Sequence, residues 1–275
     1  MLKVQNKFIG EKMITSVSNK KIKDIQKLKE NKNIKKYGKY LIEGKHLVEE
    51  AMKASVVDEI VISEDFEEYS LIDAFDGEVT IVTNSVMKHL SDTITTQGII
   101  GVCNIDKKEL DIKKYKKVLI LDKVQDPGNL GTIIRTADAF AFDCIILGKG
   151  TTSLYGQKVI RSTQGSNFHI DCFDNIDLVD LLEKMTDFSV FATSLKADKY
   201  IEQLNNITGN VAVIFGNEGA GVSEEILDRV NNLLKISMPG KAESLNVSKD
   251  LQRLKAIFPI DTILLPSVTV LSFGQ

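Results

Sequence analysis

The stretch Val118-Leu119-Ile120-Leu121-Asp122-Lys123-Val124-Gln125-Asp126-Pro127-Gly128-Asn129-Leu130-Gly131-Thr132-Ile133-Ile134-Arg135-Thr136 packs an apolar run, a turn and a helix start into nineteen residues. The run at 118–121 predicts a buried strand. Pro127-Gly128 predicts a type II turn, with glycine supplying the positive φ. Asn129 then predicts the cap of a helix running to about Phe140. On a straight helix Arg135 falls roughly 120° round from Asn129. Taken alone, the stretch is equally an ordinary strand, turn, capped helix and surface arginine.

Downstream the pattern repeats. Apolar runs at 144–147, 188–192, 211–215 and 233–238 alternate with helical segments. Continuous apolar strands separated by helices predict a parallel sheet covered on both faces. Ligands in such sheets bind at the carboxyl ends of the strands. Two more unusual loops fall there. After 211–215 comes Gly216-Asn217-Glu218-Gly219-Ala220-Gly221-Val222-Ser223, with three glycines between strand and helix. Its spacing is not the GxGxxG of dinucleotide folds. After 233–238 comes Pro239-Gly240-Lys241-Ala242-Glu243-Ser244-Leu245-Asn246-Val247-Ser248. Each is also readable as a tight turn or a helix cap.

The first half has a different grammar. A basic helix from Ser18 to Glu30, a strand at 40–44 and a helix at 46–53 are predicted. Strands at 56–62, 79–82 and 99–104, with a helix at 84–90, complete a small α/β domain. The charged stretch 106–117 reads as a linker, dividing the chain into 1–105 and 118–275.

The 275 residues carry 43% hydrophobic and 27% charged side chains, enough for a packed core and too apolar for wholesale disorder. No stretch approaches the ~18–20 unbroken apolar residues of a membrane span. Cys103, Cys144 and Cys172 lack metal-ligand spacing and suit a reducing cytoplasm. No metal is expected. The net charge of −3 hides an asymmetry: residues 1–55 are +8 and the remainder −11. A lysine-rich arm can neutralise phosphates, although it also fits a solvated helix face. His46, His89 and His169 read as structural or surface histidines.

In this order, and each at a strand end, the three loops resemble the three motifs of the SpoU (TrmH-like) family of RNA ribose methyltransferases, within the SPOUT class. Residues 158–165, Lys-Val-Ile-Arg-Ser-Thr-Gln-Gly, resemble the basic loop between those motifs. Leu41-Ile42-Glu43-Gly44 and Thr95-Thr96-Gln97-Gly98-Ile99 resemble the ribosomal-L30-like RNA-binding domain that precedes the catalytic domain in many members.

The resemblance implies an α/β fold whose C-terminal parallel sheet threads a deep trefoil knot, behind a small ribosomal-L30-like α/β domain. It implies a cytoplasmic homodimer that moves a methyl group from S-adenosylmethionine to a ribose 2′-hydroxyl of structured RNA. Ribosomal RNA is favoured over tRNA, and neither DNA nor a membrane is an expected partner. Arg135, Asn129, Glu218, Ser244 and Asn246 match the active-site positions. Gly216, Ile236, Leu245, Met238 and Thr193 match the cofactor positions. Lys21, Lys23, Lys27 and Arg161 are the expected RNA contacts. Arg135 matches an arginine said to activate the hydroxyl, but a guanidinium is a poor base and can instead orient phosphate and hydroxyl.

After Ser248 the chain departs from the family. Lys249 and Asp250 stand where small residues would pack, and Pro259 and Pro266 would break a longer helix. The expectation is weakened dimer packing or cofactor binding. Two other readings stay open: a non-catalytic RNA-binding or ribosome-assembly protein on the same scaffold, and a nicotinamide enzyme. The second lacks GxGxxG after the first strand of its half.

Overall fold

The computed structural model describes residues 13–200 and 208–235. Two sheets organise them. The first is mixed and four-stranded, built from β1 (Lys39–Glu43), β2 (Val57–Ser63), β3 (Glu78–Val82) and β4 (Ile99–Asn104) in the order β1-β4-β2-β3. β4 runs antiparallel to β1 and β2, and β2 parallel to β3. Helices α1 (Lys20–Lys27) and α5 (Asn84–Leu90) cover one face. There Ile22, Ile25, Val86 and Met87 pack on Leu41, Val61 and Ile100. Helices α2 (Asn31–Tyr37), α3 (Lys45–Lys53) and α4 (Tyr69–Asp73) supply Ile34, Leu47, Val48 and Ile72 to the other core, against Ile42, Ile60 and Ile62.

The second sheet holds β5 (Lys117–Leu121), β6 (Cys144–Gly148), β7 (Asp171–Ile176), β8 (Phe188–Thr193), β9 (Lys199–Tyr200), β10 (Asn210–Phe215) and β11 (Asn232–Lys235). Its order is β7-β6-β5-β10-β8-β11-β9, and every pairing is parallel. Both faces are apolar because successive strand residues point to opposite sides. Leu119, Leu121, Ile145, Val211 and Val213 enter one core with α6 (Pro127–Ala139) and α7 (Gln157–Thr163). Val118, Ile120, Cys144, Ala212 and Ile214 enter the other with α8 (Leu178–Lys184) and α9 (Glu224–Leu227).

Several expectations are corrected in detail. The basic helix begins at Lys20, capped by Asn19 rather than Ser18, because the Asn19 side chain accepts the Lys21 N–H at 2.8 Å. It stops at Lys27, and α2 follows as a separate helix. Pro127-Gly128 is no type II turn. Pro127 opens α6, where its fixed φ suits the first helical position, and Asp126 is the cap, accepting the Asn129 N–H at 2.7 Å. Strands β7 and β9 were not foreseen from the sequence. β7 mixes polar and apolar residues because it is an edge strand, half-exposed along most of its length.

The helix pair α6–α7 sets the geometry of the site. A β-carbon on Gly131 would lie 2.3 Å from Cβ of Ser162 and 2.8 Å from the Val159 carbonyl oxygen. Only glycine lets the two backbones approach this closely. Leu130, Ile133, Ile134 and Ala137 then bury one face of α6 and leave Arg135 exposed.

Candidate active site

The chain leaves β5 for β6 on one side, yet its other neighbour is β10, reached only after three further strands. The β5/β10 boundary is therefore a switch point of the sheet, where ligand crevices form. The loops that leave these two strands are stitched together. Asp122, only 3% exposed, donates its N–H to the Phe215 carbonyl at 2.8 Å and accepts the Ser223 N–H at 2.7 Å. Asn217 donates from Nδ2 to the Lys123 carbonyl at 3.0 Å. Its Oδ1 accepts the N–H groups of Gly219 and Ala220 at 2.9 and 3.0 Å, which folds the glycine loop over itself. Lys123 adopts a left-handed φ of 58°, a conformation costly for a side chain of its size and often retained at functional sites.

Glu218 is the centre of this cradle. Its carboxylate accepts the backbone N–H groups of Gln125 and Asp126 and the side-chain amide of Asn129, each at 3.2 Å. Burial pushes the carboxyl pKa up, but the residue's own backbone N–H, the Asn129 amide and the two main-chain N–H groups outweigh it and hold the pKa below its ordinary value. The arrangement keeps Glu218 ionised and fixes the start of α6. Gly216 is required by crowding, since a β-carbon there would sit 1.9 Å from the Gly221 carbonyl carbon and 2.0 Å from the Val222 nitrogen.

Of the expected active-site residues, the structure brings Asn129 and Glu218 into contact. Arg135 lies nearly two turns further along α6, and among the described residues its guanidinium has no hydrogen-bond or ion-pair partner. Ser244 and Asn246 lie outside the described residues, as do Ile236, Met238 and Leu245. The other two expected cofactor residues end adjacent strands. Thr193 closes β8, with its hydroxyl donating to the Ile214 carbonyl at 3.2 Å, and Gly216 follows β10. β11 lies on the far side of β8, and its Leu234 carbonyl accepts the Ser194 N–H at 2.9 Å. The ends of β10, β8 and β11 thus form one edge, and Ile236 is the residue that follows β11. Main-chain donors and acceptors at three neighbouring strand ends suit a ligand such as S-adenosylmethionine, whose adenine can be read by backbone groups.

The expected RNA contacts divide. Lys21 is held within its own half by Glu59 at 2.8 Å and Glu78 at 2.5 Å. Lys27 pairs with Asp24 at 2.7 Å, and Arg161 with Asp92 at 3.3 Å. Lys23 is exposed and has no partner among the described residues. Sequence reasoning assigned no role to Asp122, Gln125 and Asn217. Asn217 carries a local signal, an Asx turn two and three residues ahead of two backbone amides. Asp122 carries a weaker one, an acid directly after an unbroken apolar strand.

The parallel sheet, the joined strand-end loops and the exposed arginine on α6 give an α/β architecture whose first two motif loops meet at the switch point. Residues 116–250 match the SpoU rRNA Methylase family, and residues 19–101 match the MRM3-like substrate binding domain. The 23S rRNA (guanosine(2553)-2′-O)-methyltransferase RlmP of Bacillus subtilis is 38% identical over 240 residues, covering 86% of this chain and 95% of its own length. The AdoMet-bound rRNA methyltransferase from Sinorhizobium meliloti superimposes with a TM-score of 0.80 at 27% identity, covering 89% of this chain and 96% of its own. A crystal structure of an RNA 2′-O ribose methyltransferase gives 0.76 at 26% identity over 90% and 98%. The chain belongs to the SpoU rRNA methylase family, and with it to the enzymes that move a methyl group from S-adenosylmethionine to a ribose 2′-hydroxyl of RNA. The matches lend nothing to the non-catalytic reading. The span 116–250 runs through the third motif and includes Lys249 and Asp250, so the match continues past the point where a departure from the family was expected. The effect expected of that tail lies outside the described residues.

Proposed function

We propose that the substrate is ribosomal RNA, bound by residues 1–105 and methylated by residues 118–275, with 106–117 joining the two. The observation that carries this reading is the Glu218 carboxylate, which ties the first and second motifs together at the start of the helix that carries the exposed Arg135. The match of the first half to a substrate-binding domain, and the ribosomal RNA named for the B. subtilis relative, both favour this substrate.

S-adenosylmethionine supplies an electrophilic methyl group. The protein's task is to bring one ribose oxygen into line with it and to let that oxygen lose its proton. Thr193, Gly216, Ile236, Met238 and Leu245 hold the cofactor, largely through main-chain groups. Glu218 and Asn129 set the pitch and position of α6. Arg135, projecting from that helix, orients the phosphate and the 2′-hydroxyl of the target nucleotide by charge-assisted hydrogen bonds. A guanidinium is a poor base, so Arg135 acts by orienting these groups and not by taking the proton. Ser244 and Asn246 serve with Glu218, Asn129 and Arg135 as the active-site pair of the third motif. Lys23, Lys21, Lys27 and Arg161 contact the RNA backbone; of these Lys23 is the most available. We further infer a ribosomal-L30-like fold for the first half, a trefoil knot in the second, a homodimer and a cytoplasmic site of action.

The test is transfer of labelled methyl from S-adenosylmethionine to purified ribosomal RNA and to tRNA, with nuclease digestion to locate a 2′-O-methylated nucleoside. Label entering ribosomal RNA as a 2′-O-methyl nucleoside is the expected result. Label confined to tRNA, or to a base, would refute the assignment. Arg135→Ala should reduce transfer by about 10²–10³-fold or more, with cofactor affinity by calorimetry close to that of the native chain. Transfer at the native rate would remove Arg135 from the site.

A further inference from the structure

Helix α6 ends against the first half of the chain. Three residues past Arg135, Asp138 Oδ2 lies 3.1 Å from Nδ1 of His169, and Nε2 of the same ring lies 2.8 Å from Glu50 Oε2 on α3. Ionised carboxylates only accept hydrogen bonds, so a ring that bonds to two of them needs a hydrogen on each nitrogen. Protonated, the His169 ring can donate to both carboxylates at once. A second contact reinforces the same joint: Nε2 of His46, also on α3, lies 3.0 Å from the Gln164 carbonyl at the end of α7. α7 itself packs on α6 through Gly131.

We propose that His169 is a positioning residue for methyl transfer: by clasping Glu50 of the first half and Asp138 of α6, it sets the RNA-binding half against the helix that presents Arg135. The proposal rests on the reading of α6 as the catalytic helix and of the first half as the RNA-binding one. The Glu50 side chain is 13% exposed and that of Asp138 27%, while the His169 ring between them is 48% exposed, so the two carboxylates are partly shielded and the ring faces water, which keeps each bond modest. The titratable groups around it are Glu50, Lys53 and His46 on α3, Asp138 on α6 and Cys172 on β7. Lys53 holds the other oxygen of Glu50 at 2.7 Å and, with His169, lowers that carboxyl to about 2. Burial pushes the Cys172 thiol up to about 12, so it stays neutral.

The hydrogen bond that His169 donates to Glu50 raises the ring's pKa above its ordinary 6.5; burial opposes this and Asp138 adds to it. A group whose folded pKa is raised contributes fully below its unfolded value and loses that contribution as pH rises through the folded one. The clasp is thus complete in mildly acidic solution. One of its two bonds is lost on the alkaline side.

The experiment compares the full chain with His169→Gln and His169→Arg. In His169→Gln the KM for ribosomal RNA should rise about three- to fivefold, with S-adenosylmethionine affinity unchanged. In the native enzyme the RNA KM should climb through the same pH at which the His169 ring titrates by NMR. His169→Arg, a permanent cation able to span two carboxylates, should restore the KM and abolish that pH dependence. An unchanged KM and pH profile in His169→Gln would overturn the proposal, as would a ring that titrates at or below 6.5. A native chain that transfers no methyl to ribosomal RNA refutes the substrate reading instead. The clasp is then judged on residual dipolar couplings between the two halves. An orientation altered in His169→Gln supports it, and an unaltered one overturns it.

Discussion

Glu59 and Glu218 are both shielded carboxylates at a strand or its end, one in each sheet, and they are satisfied by different kinds of partner. Glu59, 9% exposed on β2, takes side-chain donors: Lys21 Nζ at 2.8 Å and the Thr80 hydroxyl at 2.7 Å. Glu218 takes two main-chain N–H groups from a loop ninety residues earlier, and a side-chain amide from the helix behind it. A lysine on a flexible stem tethers α1 to its sheet without dictating the path of any loop. Backbone amides have no such freedom, so a carboxylate that accepts two of them fixes the shape of the segment that donates them. The first arrangement supports a surface. The second builds a site.

The contrast also changes how the +8 charge of residues 1–55 is understood. Part of it is taken up within the protein, because Lys21 and Lys27 already have acidic partners. Lys23 has none among the described residues, which leaves its charge uncommitted within the protein.

The comparison can be broken most severely at Gly216. Gly216→Ala forces a methyl group into backbone 1.9 Å away, a clash on the order of 3 kcal/mol or more. It should abolish calorimetric binding of S-adenosylmethionine while the first half keeps its secondary structure by circular dichroism. Near-native binding would mean the glycine loop is free to move and the cradle is not rigid.

A smaller effect is expected at Glu218→Gln, where one acceptor oxygen becomes an amide facing the donors of the first motif. The cost should be about 1–2 kcal/mol in denaturant unfolding, as for a polar group left unsatisfied. Because the native carboxyl pKa is lowered from 4.5, its contribution is present above that value and fades as pH falls through the folded one. The gap in melting temperature between the native chain and Glu218→Gln should therefore hold above pH 4.5 and narrow as the solution is made more acidic than that. A gap that stays constant would show that the charge of Glu218 contributes nothing.

The smallest effect separates two lysines two residues apart. Lys23→Gln should reduce the slope of log affinity for RNA against log salt by about 0.7–0.9 without altering stability. Lys21→Gln should leave the slope nearly unchanged and lower stability slightly, since it deprives Glu59 of its cation. Equal slopes in the two variants would show that ion pairing within the protein has no bearing on RNA contact.

Much of this molecule was legible before folding was considered. Short unbroken runs such as Val118 to Leu121 and Val211 to Phe215, bounded by turn residues, read as strands buried on both faces, and their alternation with helices implies a parallel sheet. The three loop motifs identified the family because each holds an unusual cluster of glycine, amide and acid at a strand end. Edge strands escaped notice for a physical reason. Asp171, Asp174 and Asn175 on β7 face partial solvent and break the apolar run that marks interior strands. The cap of α6 was misplaced because Asp126 and Asn129 are both good capping residues, and proline's fixed φ is compatible with a turn and with a helix start alike.

What the chain determines by itself is local: periodicity, capping chemistry and the glycines that no other residue can replace. Tertiary structure decided which loops meet. Nothing in the order of residues says that β10 lies between β5 and β8, yet that placement alone brings Glu218 to the amides of Gln125 and Asp126. The same holds for His169, an unremarkable histidine until folding sets it between Glu50 and Asp138. Strand order is settled by how all the helices and strands bury their apolar faces at once, and that global packing has no signature in any short stretch of sequence.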